Sequence, residues 1–210
     1  MDSLSEENIK QNCPHCDPCS FALKYPLEVT DNFWIVCDVH PLTKGHILIM
    51  PKKHLSCIAE YPEEVLKEFV TLYQKFSHFI KITYGSISSF EHGKIGQTVF
   101  HSHVHILPFK GSPHDIIPEG NNNITLIHNF SDLLRAYAKD AQYLFFSIGD
   151  DKWLVNIRLG NPGFFRNRFA QALGNPLRGD WKMMSKNNEL MTEAEQDIKD
   201  LQYAWSLFKK

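Results

Sequence analysis

The sequence predicts an α+β fold, with a mostly antiparallel five-stranded sheet, one long helix and an α/β extension at the C-terminal end. Short apolar runs bounded by turn residues predict the strands. One long stretch with apolar residues at three- and four-residue spacing predicts the helix. With 210 residues, the chain is long enough for one large domain, or for one domain with a sizeable extension.

Apolar runs in the N-terminal half predict the first strands. They cover residues 33–37, 46–50, 87–90 and 97–108. The first two flank a turn-rich loop and therefore predict a hairpin. A turn at residues 91–96 leads into the last of them.

The long helix is predicted over residues 62–82. Pro62 and the two glutamates after it suit the first turn, Lys81 suits the last, and Gly85 marks the end. The apolar stripe consists of Val65, Phe69, Leu72, Phe76, Phe79 and Ile80. We interpret this stripe as core and assign no chemistry to it.

The amino-acid composition of the chain changes beyond Pro108. Residues 110–123 carry Gly, Pro and three adjacent asparagines, which are typical of a loop or boundary. The elements predicted after it are a helix over 131–139 with Ser131 as its N-cap, strands over 143–148 and 153–157, a helix over 164–173, and a final helix opened by a capping box at Thr192–Glu195.

Composition argues against two classes of partner. The net charge is −2 and the pI is about 6.6, which argues against nucleic acid and requires any anionic ligand to be bound locally. The sequence has no apolar run long enough for a membrane span. The five cysteines and the acidic, polar first residues predict a reducing cytoplasm rather than a disulfide framework.

Three histidines alternate in the run from Gln97 to Pro108. In a strand, His101, His103 and His105 would share one face and spread over about 13 Å. The other face would be mostly apolar, with Thr98, Phe100, Ser102, Val104 and Ile106. Because imidazole is a nucleophile, a proton shuttle and a metal ligand, the cluster predicts phosphoryl or metal chemistry. The alternative is a solvated strand face.

A cysteine pair, Cys13-Pro-His-Cys16, is followed by Cys19. Close thiols in a cytosolic chain suggest zinc, and one such pair supplies half of a tetrahedral site. A redox pair or a chance spacing remains the alternative.

All five arginines lie in the second half of the chain. They are Arg135, Arg158, Arg166, Arg168 and Arg178. Arginine suits bidentate contacts with phosphate or carboxylate, whereas the simpler interpretation is surface ion pairs. Because a helix turns residues two apart to different faces, at most one of Arg166 and Arg168 is expected to point into a shared site.

The stretch His101-Ser-His-Val-His-Ile-Leu107 resembles the His-φ-His-φ-His-φ-φ signature of the histidine triad (HIT) superfamily, where φ is apolar. Gly96-Gln-Thr and the block from Asp38 to His54 match it too, in the expected order. The resemblance covers roughly residues 13–109. Ser102 departs from the pattern, and so does Phe90, where well-known branches carry an amide side chain that touches the nucleotide.

The resemblance implies roles for the matching residues. His103 would attack the α-phosphorus of a nucleotide and form a covalent nucleotidyl-imidazole that water then cleaves. His105 would contact the phosphate and help to protonate the leaving group, and His46 would be a fourth imidazole there. The implied nucleotide-binding residues are Asp38 for the ribose hydroxyls, Val39, and Gln97 and Thr98 for phosphate oxygens.

His101 would orient the nucleophile or ligate zinc. The zinc set implied by the resemblance is Cys13, Cys16, His54 and His101, with Cys19 left over. Zinc would be structural, and the chemistry would require no cofactor. The implied division of the chain is a flexible N-terminus at 1–12, a HIT-like catalytic domain at 13–110, a linker or loop at 111–124, and an extension at 125–210 that packs on the catalytic domain and walls the cleft.

The resemblance implies a nucleotidyl hydrolase that cleaves an AMP-like group from a phosphoanhydride or phosphoramidate, such as a dinucleoside polyphosphate. Related transferases carry Gln at the position of His105, so this histidine favours hydrolysis. The alternatives are a nucleotidyltransferase or phosphorylase of the same superfamily and a non-catalytic, zinc-stabilised nucleotide-binding adaptor. Short members of the superfamily usually dimerise, so a homodimer is expected unless the extension replaces the second protomer.

Overall fold

The computed structural model describes residue 10 and residues 12–210. The strands are β1 Pro26–Val29, β2 Phe33–Cys37, β3 Ile47–Pro51, β4 Ser88–Gly93, β5 Val104–Leu107, β6 Ile124–Ile127, β7 Tyr143–Ile148 and β8 Asp151–Val155. The helices are α1 Glu63–Tyr84, α2 Pro113–Ile116, α3 Phe130–Asp140, α4 Phe164–Ala172, α5 Trp181–Met184 and α6 Asn188–Phe208. The flexible N-terminus expected at residues 1–12 falls almost wholly outside the described residues.

All eight strands form one sheet in the order β1-β2-β3-β5-β4-β7-β8-β6. Every neighbouring pair is antiparallel. The four strands located in the N-terminal part are present as β2 to β5, and β1, which no predicted run covers, is the fifth. Three strands of the extension enlarge the same sheet, and one of them, β6, was also not predicted. They join it where β4 pairs with β7 along its whole length, from Ser88↔Ile148 to Gly93↔Tyr143. The α+β class is confirmed, with a larger sheet than predicted.

The strand predicted over residues 97–108 is wrong in its first half. Only Val104–Leu107 pairs in the sheet, and the backbone N–H of Ser102 donates to the Leu55 carbonyl at 2.6 Å. Phe100 is 60% exposed, so the apolar face expected here is confined to Val104 and Ile106, which are fully buried. His101 and His103 therefore lie on the irregular segment before β5, and only His105 lies within the strand.

Helix α1 confirms the helical periodicity. It ends at Gly85, whose φ of 80° lies in the left-handed region where glycine is favoured. Phe69, Leu72 and Phe76 are among its buried residues. They pack against the sheet and α6, where the Trp205 ring stacks on Phe76 with centroids 4.6 Å apart.

Three predicted boundaries are wrong because the backbone hydrogen bonds there are made by residues other than those predicted. Strand β4 continues to Gly93, so Glu91 is a strand residue and not part of a turn. Helix α3 is capped by Asn129 instead of Ser131. Helix α6 begins at Asn188, where the Asn187 side chain accepts hydrogen bonds from the next two free N–H groups, so Thr192 lies inside the helix. The predicted hairpin strands and the helix over 164–173 are present as β7, β8 and α4.

The two faces of the sheet bury separate apolar clusters. One face is covered by α1, α3 and α6, and the other by α4 and the segment after β5. The histidines lie on the α4 side, where Phe90 packs between His105 and Phe169. None of the described helices has the length and apolarity required to cross a bilayer.

Trp205→Ala tests how strongly α6 is fixed to the sheet. The indole is 2% exposed and its Nε1–H donates to the Leu27 carbonyl at 2.8 Å, so truncation creates a cavity and leaves a carbonyl without its partner. We expect a loss of about 3–5 kcal/mol in the free energy of unfolding, measured with urea. Tyr203→Ala, on the exposed side of α6, should change it by less than about 0.5 kcal/mol. A loss under about 1 kcal/mol for Trp205→Ala would contradict this packing.

Candidate active site

His103 is fixed in one tautomer. Its Nδ1 lies 2.6 Å from the backbone carbonyl of His101. Because a carbonyl can only accept, Nδ1 carries the proton and Nε2 keeps its lone pair. The ring is partly buried and lines the cleft. His103 therefore has the form that a nucleophilic imidazole requires.

The tautomer of His105 follows from a chain of hydrogen bonds. The backbone N–H of Leu42 donates to Nδ1 of His46 at 3.0 Å, so a neutral His46 has its proton on Nε2. That proton is donated to Nδ1 of His105 at 2.9 Å. The proton of neutral His105 is then on Nε2, for which the described residues offer no acceptor. His105 thus brings an N–H donor to the cleft beside the lone pair of His103.

Burial keeps these imidazoles neutral. It lowers the pKa of His103, lowers that of His105 well below its usual value, and lowers that of His46 to about 4. The carboxylate of Asp38 acts in the opposite direction on His46 and His103 without overcoming the burial. The Phe90 ring stacks on His105 at 4.1 Å and excludes water from that side.

Asp38 is the buried anion of the site. Its carboxylate accepts from the His40 backbone N–H at 2.8 Å and from Nη1 of Arg166 at 2.8 Å. Burial alone would raise the pKa of Asp38, but Arg166 and the neighbouring histidines lower it overall. Arg166 also donates to the His40 carbonyl at 2.7 Å, whereas Arg168 pairs with Glu119 outside the site. One of the two arginines points into the site, as the helical spacing predicted.

The cleft consists of two adjoining pockets of about 230 Å³ and 210 Å³. The residues they share are Thr98, His103, His105, Arg166 and Trp181. The first, the polar pocket, is also lined by His92, Gly163, Asn167, Asp180 and Lys182. The second, the apolar pocket, is also lined by Phe21, Ala22, Val39, Leu48 and Val99. Residues 162–182 of the extension thus wall the cleft. A larger cavity of about 680 Å³, between α1 and α3, contains none of these residues.

Most of the residues predicted to bind nucleotide lie at the cleft, but Gln97 does not. Asp38, Val39 and Thr98 line it. The amide of Gln97 is buried and donates to the Ser56 carbonyl at 2.7 Å. His46 lies behind His105 and reaches the cleft only through that ring. The predicted role of Gln97 toward phosphate is therefore not favoured by its position.

Glu91 is a site-supporting residue that sequence reasoning missed, because it was placed in a turn. Its fully buried carboxylate accepts from the Ser102 hydroxyl at 2.6 Å, from the Tyr143 hydroxyl and from the Ile58 N–H at 3.1 Å. Tyr61 bonds to the same Ser102 hydroxyl at 2.7 Å. Ser102, the polar departure from the family pattern, was the available signal. This network holds the segment that carries His101 and His103.

His92 was also missed, for the same reason. Its Nε2 accepts from the Phe165 N–H at 3.2 Å, which links β4 to the start of α4. The ring is buried and lines the polar pocket. Burial lowers the pKa of His92 to about 3, so this imidazole is also neutral.

The four residues of the implied zinc set lie together. The ligand atoms of Cys13, Cys16, His54 and His101 are all within 4.8 Å of one another. The Cys16 sulfur is 3.3 Å from Nδ1 of His54 and 3.4 Å from Nδ1 of His101. Zn–S and Zn–N bonds at a tetrahedral angle require an S···N separation of about 3.5 Å, so the donor set fits zinc. Cys19 is exposed and is not part of this set.

The hydrogen bonds around the set also suit a metal ion. Nε2 of His101 donates to the Pro51 carbonyl at 2.7 Å, which leaves the lone pair of Nδ1 free to bind a metal ion. Asp38, His46 and His105 form another compact donor group. There, however, the Leu42 N–H occupies one nitrogen of His46 and His105 the other. We therefore interpret the second group as a hydrogen-bonded chain.

Comparison with known proteins identifies the class. Residues 27–111 match the family model of the HIT domain. Adenylylsulfatase HINT3 of Arabidopsis thaliana is 35% identical over 118 residues, which cover 51% of this chain and 57% of that protein. Protein hit of Bacillus subtilis (strain 168) is 33% identical over 78 residues, which cover 35% of this chain and 54% of that protein. The chain thus spans about half the length of these curated relatives.

Among solved structures, a hypothetical histidine triad nucleotide-binding protein from Sulfolobus tokodaii strain 7 is 31% identical. The match has a TM-score of 0.41 and covers 48% of this chain and 71% of that one. The chain belongs to the histidine triad family, and the resemblance stated from the sequence is confirmed. Arg166 and Trp181, which complete the cleft, lie outside the segment that matches the family model.

Glu91→Gln tests whether the buried carboxyl of Glu91 makes the stability depend on pH. Burial raises the pKa of Glu91 from 4.5 to about 7, so the folded chain binds a proton that the unfolded chain releases. This residue therefore contributes stability that is complete below about pH 4.5 and is lost as the pH rises through about 7. As the pH rises from about 4.5 to about 7, the free energy of unfolding, measured with urea, should fall by up to about 3 kcal/mol more in the wild type than in Glu91→Gln. Parallel pH dependences of the two proteins would contradict the assignment.

Proposed function

We propose that this chain is a nucleotidyl hydrolase that transfers an AMP-like group to His103 and then to water. The observation that carries the proposal is the pairing of tautomers: a lone pair on Nε2 of His103 and an N–H on Nε2 of His105, both at the cleft. A nucleophile needs the first and a negatively charged phosphoryl oxygen needs the second. The Arabidopsis relative is named an adenylylsulfatase, which is compatible with this chemistry.

In the first step Nε2 of His103 forms a bond to the α-phosphorus while the bond to the leaving group breaks. The imidazole ring becomes positively charged, and the His101 carbonyl, already bonded to Nδ1–H, stabilises that charge. In the second step the oxygen of a water molecule attacks the same phosphorus. The phosphorus–nitrogen bond breaks, and nucleoside monophosphate and neutral His103 are regained, with the water proton released to solvent.

The hydrogen-bonded chain favours one class of leaving group. If neutral His105 gave up its Nε2 proton, it would become an imidazolate anion unless Nδ1 took the proton of His46, whose other nitrogen is occupied by the Leu42 N–H. In this proposal His105 therefore donates a hydrogen bond and keeps its proton, instead of protonating the leaving group. Such a site suits groups that depart as stable anions, so an anhydride with phosphate, sulfate or a second nucleotide is favoured over a phosphoramidate.

Each of the two pockets suits a different part of the proposed substrate. The apolar pocket, with Val39 and Leu48 among its lining residues, suits the nucleoside. The polar pocket, with Lys182 among its lining residues, suits an anionic leaving group. Asp38, with both carboxylate oxygens already engaged, fixes Arg166 and His40 at the junction. Its predicted contact with the ribose remains part of the proposal.

We also propose that Cys13, Cys16, His54 and His101 hold a structural zinc ion. Zinc would supply no chemistry to the reaction, because all four of its positions would be taken by protein atoms. Its effect would be to tie the loop of Cys13 and Cys16 to the segment that carries His103. A cytoplasmic location and a homodimer remain predictions of the sequence.

His103→Ala provides the first test. After rapid acid quench with an adenylyl–sulfate or dinucleoside polyphosphate substrate, intact-mass spectrometry should show one covalent nucleotidyl group on the wild type and none on the variant. His78→Ala, at an exposed position of α1, should behave as wild type. Catalytic turnover should fall by a factor of about 10⁴ or more in His103→Ala.

Other outcomes select the alternatives. A folded wild type that binds nucleotide but forms no adduct and turns over none of these substrates would favour the adaptor. Transfer of the nucleotidyl group to added phosphate in preference to water would favour the transferase.

Metal analysis tests the zinc proposal. The purified protein should contain about one zinc ion per chain, and Cys16→Ser should lose it because a thiolate ligand is removed. Cys19→Ser should retain the ion, since Cys19 lies outside the set. The measurement is mass spectrometry of bound metal, with the thermal unfolding midpoint before and after chelation. Equal zinc contents in the two variants would contradict the assigned ligands.

A further inference from the structure

His15 lies between two cysteines of the zinc set, yet it is not one of the four donors. Its ring lines the apolar pocket together with His103 and Val39. It is 6% exposed. Neither the sequence pattern nor the proposed mechanism gives this imidazole a role.

The ring of His15 stands beside the nucleophile. The His15 and His103 centroids are 5.0 Å apart and the ring planes meet at 74°. The corresponding values for His103 and His105 are 5.1 Å and 67°. The nucleophile therefore has two imidazole neighbours at nearly equal distance and inclination, and only His105 belongs to the histidine triad signature.

The burial of an unpartnered nitrogen indicates which nitrogen of His15 is the donor. Nδ1 is buried and has no hydrogen-bond partner among the described residues. A buried N–H without an acceptor is less tolerable than a buried lone pair, so the proton of the neutral ring lies on Nε2. A protonated ring would also carry a proton there. In either state Nε2 is a donor on a ring that lines the pocket.

A histidine at this place is costly in the free protein. An unpartnered buried polar atom destabilises the folded chain, and a phenylalanine ring of similar shape would avoid that cost. The cost is offset if the ring makes a polar contact when ligand is bound. A ligand atom bonded to His15 in this pocket would lie close to His103, because the two ring centroids are only 5.0 Å apart.

We propose that His15 is a further substrate-binding residue, which donates a hydrogen bond from Nε2 to a non-bridging oxygen of the phosphate that His103 attacks. The inference rests on the proposed function. His15 would complement the donor of His105 and stabilise the negative charge as the phosphorus–nitrogen bond forms. Because its sequence neighbours Cys13 and Cys16 are the cysteines of the zinc set, metal binding would fix this donor in the cleft. The metal loop then forms part of the active site itself.

His15→Phe removes the donor and keeps an aromatic ring. In single-turnover experiments we expect the rate of adduct formation to fall at least about 10-fold, with zinc content unchanged. His15→Gln, whose amide can donate, should recover part of the rate. His78→Phe serves as the surface control. Replacing a non-bridging oxygen of the substrate by sulfur should reduce the rate of adduct formation by a larger factor in the wild type than in His15→Phe. The reason is that sulfur is the weaker hydrogen-bond acceptor, and only the wild type has the donor.

The outcomes are separable from those of the proposed function. Equal rates of adduct formation in wild type and His15→Phe would overturn the inference, and so would loss of zinc from His15→Phe, which would assign the ring to the metal site. If the wild type forms no adduct, the proposed function fails, and AMP affinity tests His15 by itself. A Kd raised at least about 5-fold in His15→Phe would support the phosphate contact, and an unchanged Kd would overturn it.

Discussion

His101, Ser102 and His103 belong to no strand, and hydrogen bonds hold this short segment in place beside the cleft. Ser102 supplies two of these bonds, from its N–H to Leu55 and from its hydroxyl to Glu91, each at 2.6 Å. The His101 ring is fixed by Pro51, and the His101 carbonyl in turn fixes the His103 ring. The predicted zinc ligand His101 and the proposed nucleophile His103 thus share one short segment, whose backbone geometry positions both rings.

Local patterns predicted the parts of the structure that depend on neighbouring residues. The apolar periodicity predicted α1. The family resemblance implied the set of Cys13, Cys16, His54 and His101, whose ligand atoms lie within 4.8 Å of one another in the structure. Pairing between distant strands has no local signature, so the union of β4 with β7 was missed. Gly93 illustrates why. It suggested a turn, but it is a strand residue that lies under the Tyr143 ring, where a Cβ would come within 2.6 Å.

The C-terminal half is continuous with the family domain, not an appendage. It contributes Arg166 to the buried carboxylate of Asp38, Tyr143 to Glu91 and Trp181 to both pockets. Gly96, with a φ of 75°, lets the chain pass so close to the Asn161 carbonyl that any Cβ would collide with it. The arginine-rich composition hinted at such a contribution, but composition alone does not say which arginine is buried or which acid it meets.

The ion pair between Asp38 and Arg166 joins residues 128 positions apart. Synthesis at about 5–20 residues per second separates their emergence by on the order of ten seconds. In the later half of that interval, once residue 105 has been made, the growing chain has its three histidines, whereas Asp38 still lacks the cation that offsets the cost of its burial. The nascent protein must keep this carboxylate hydrated, and the cleft closes only when α4 docks. A ribosome that stalls between residues 105 and 166 therefore leaves a chain with every triad residue and an unfinished pocket.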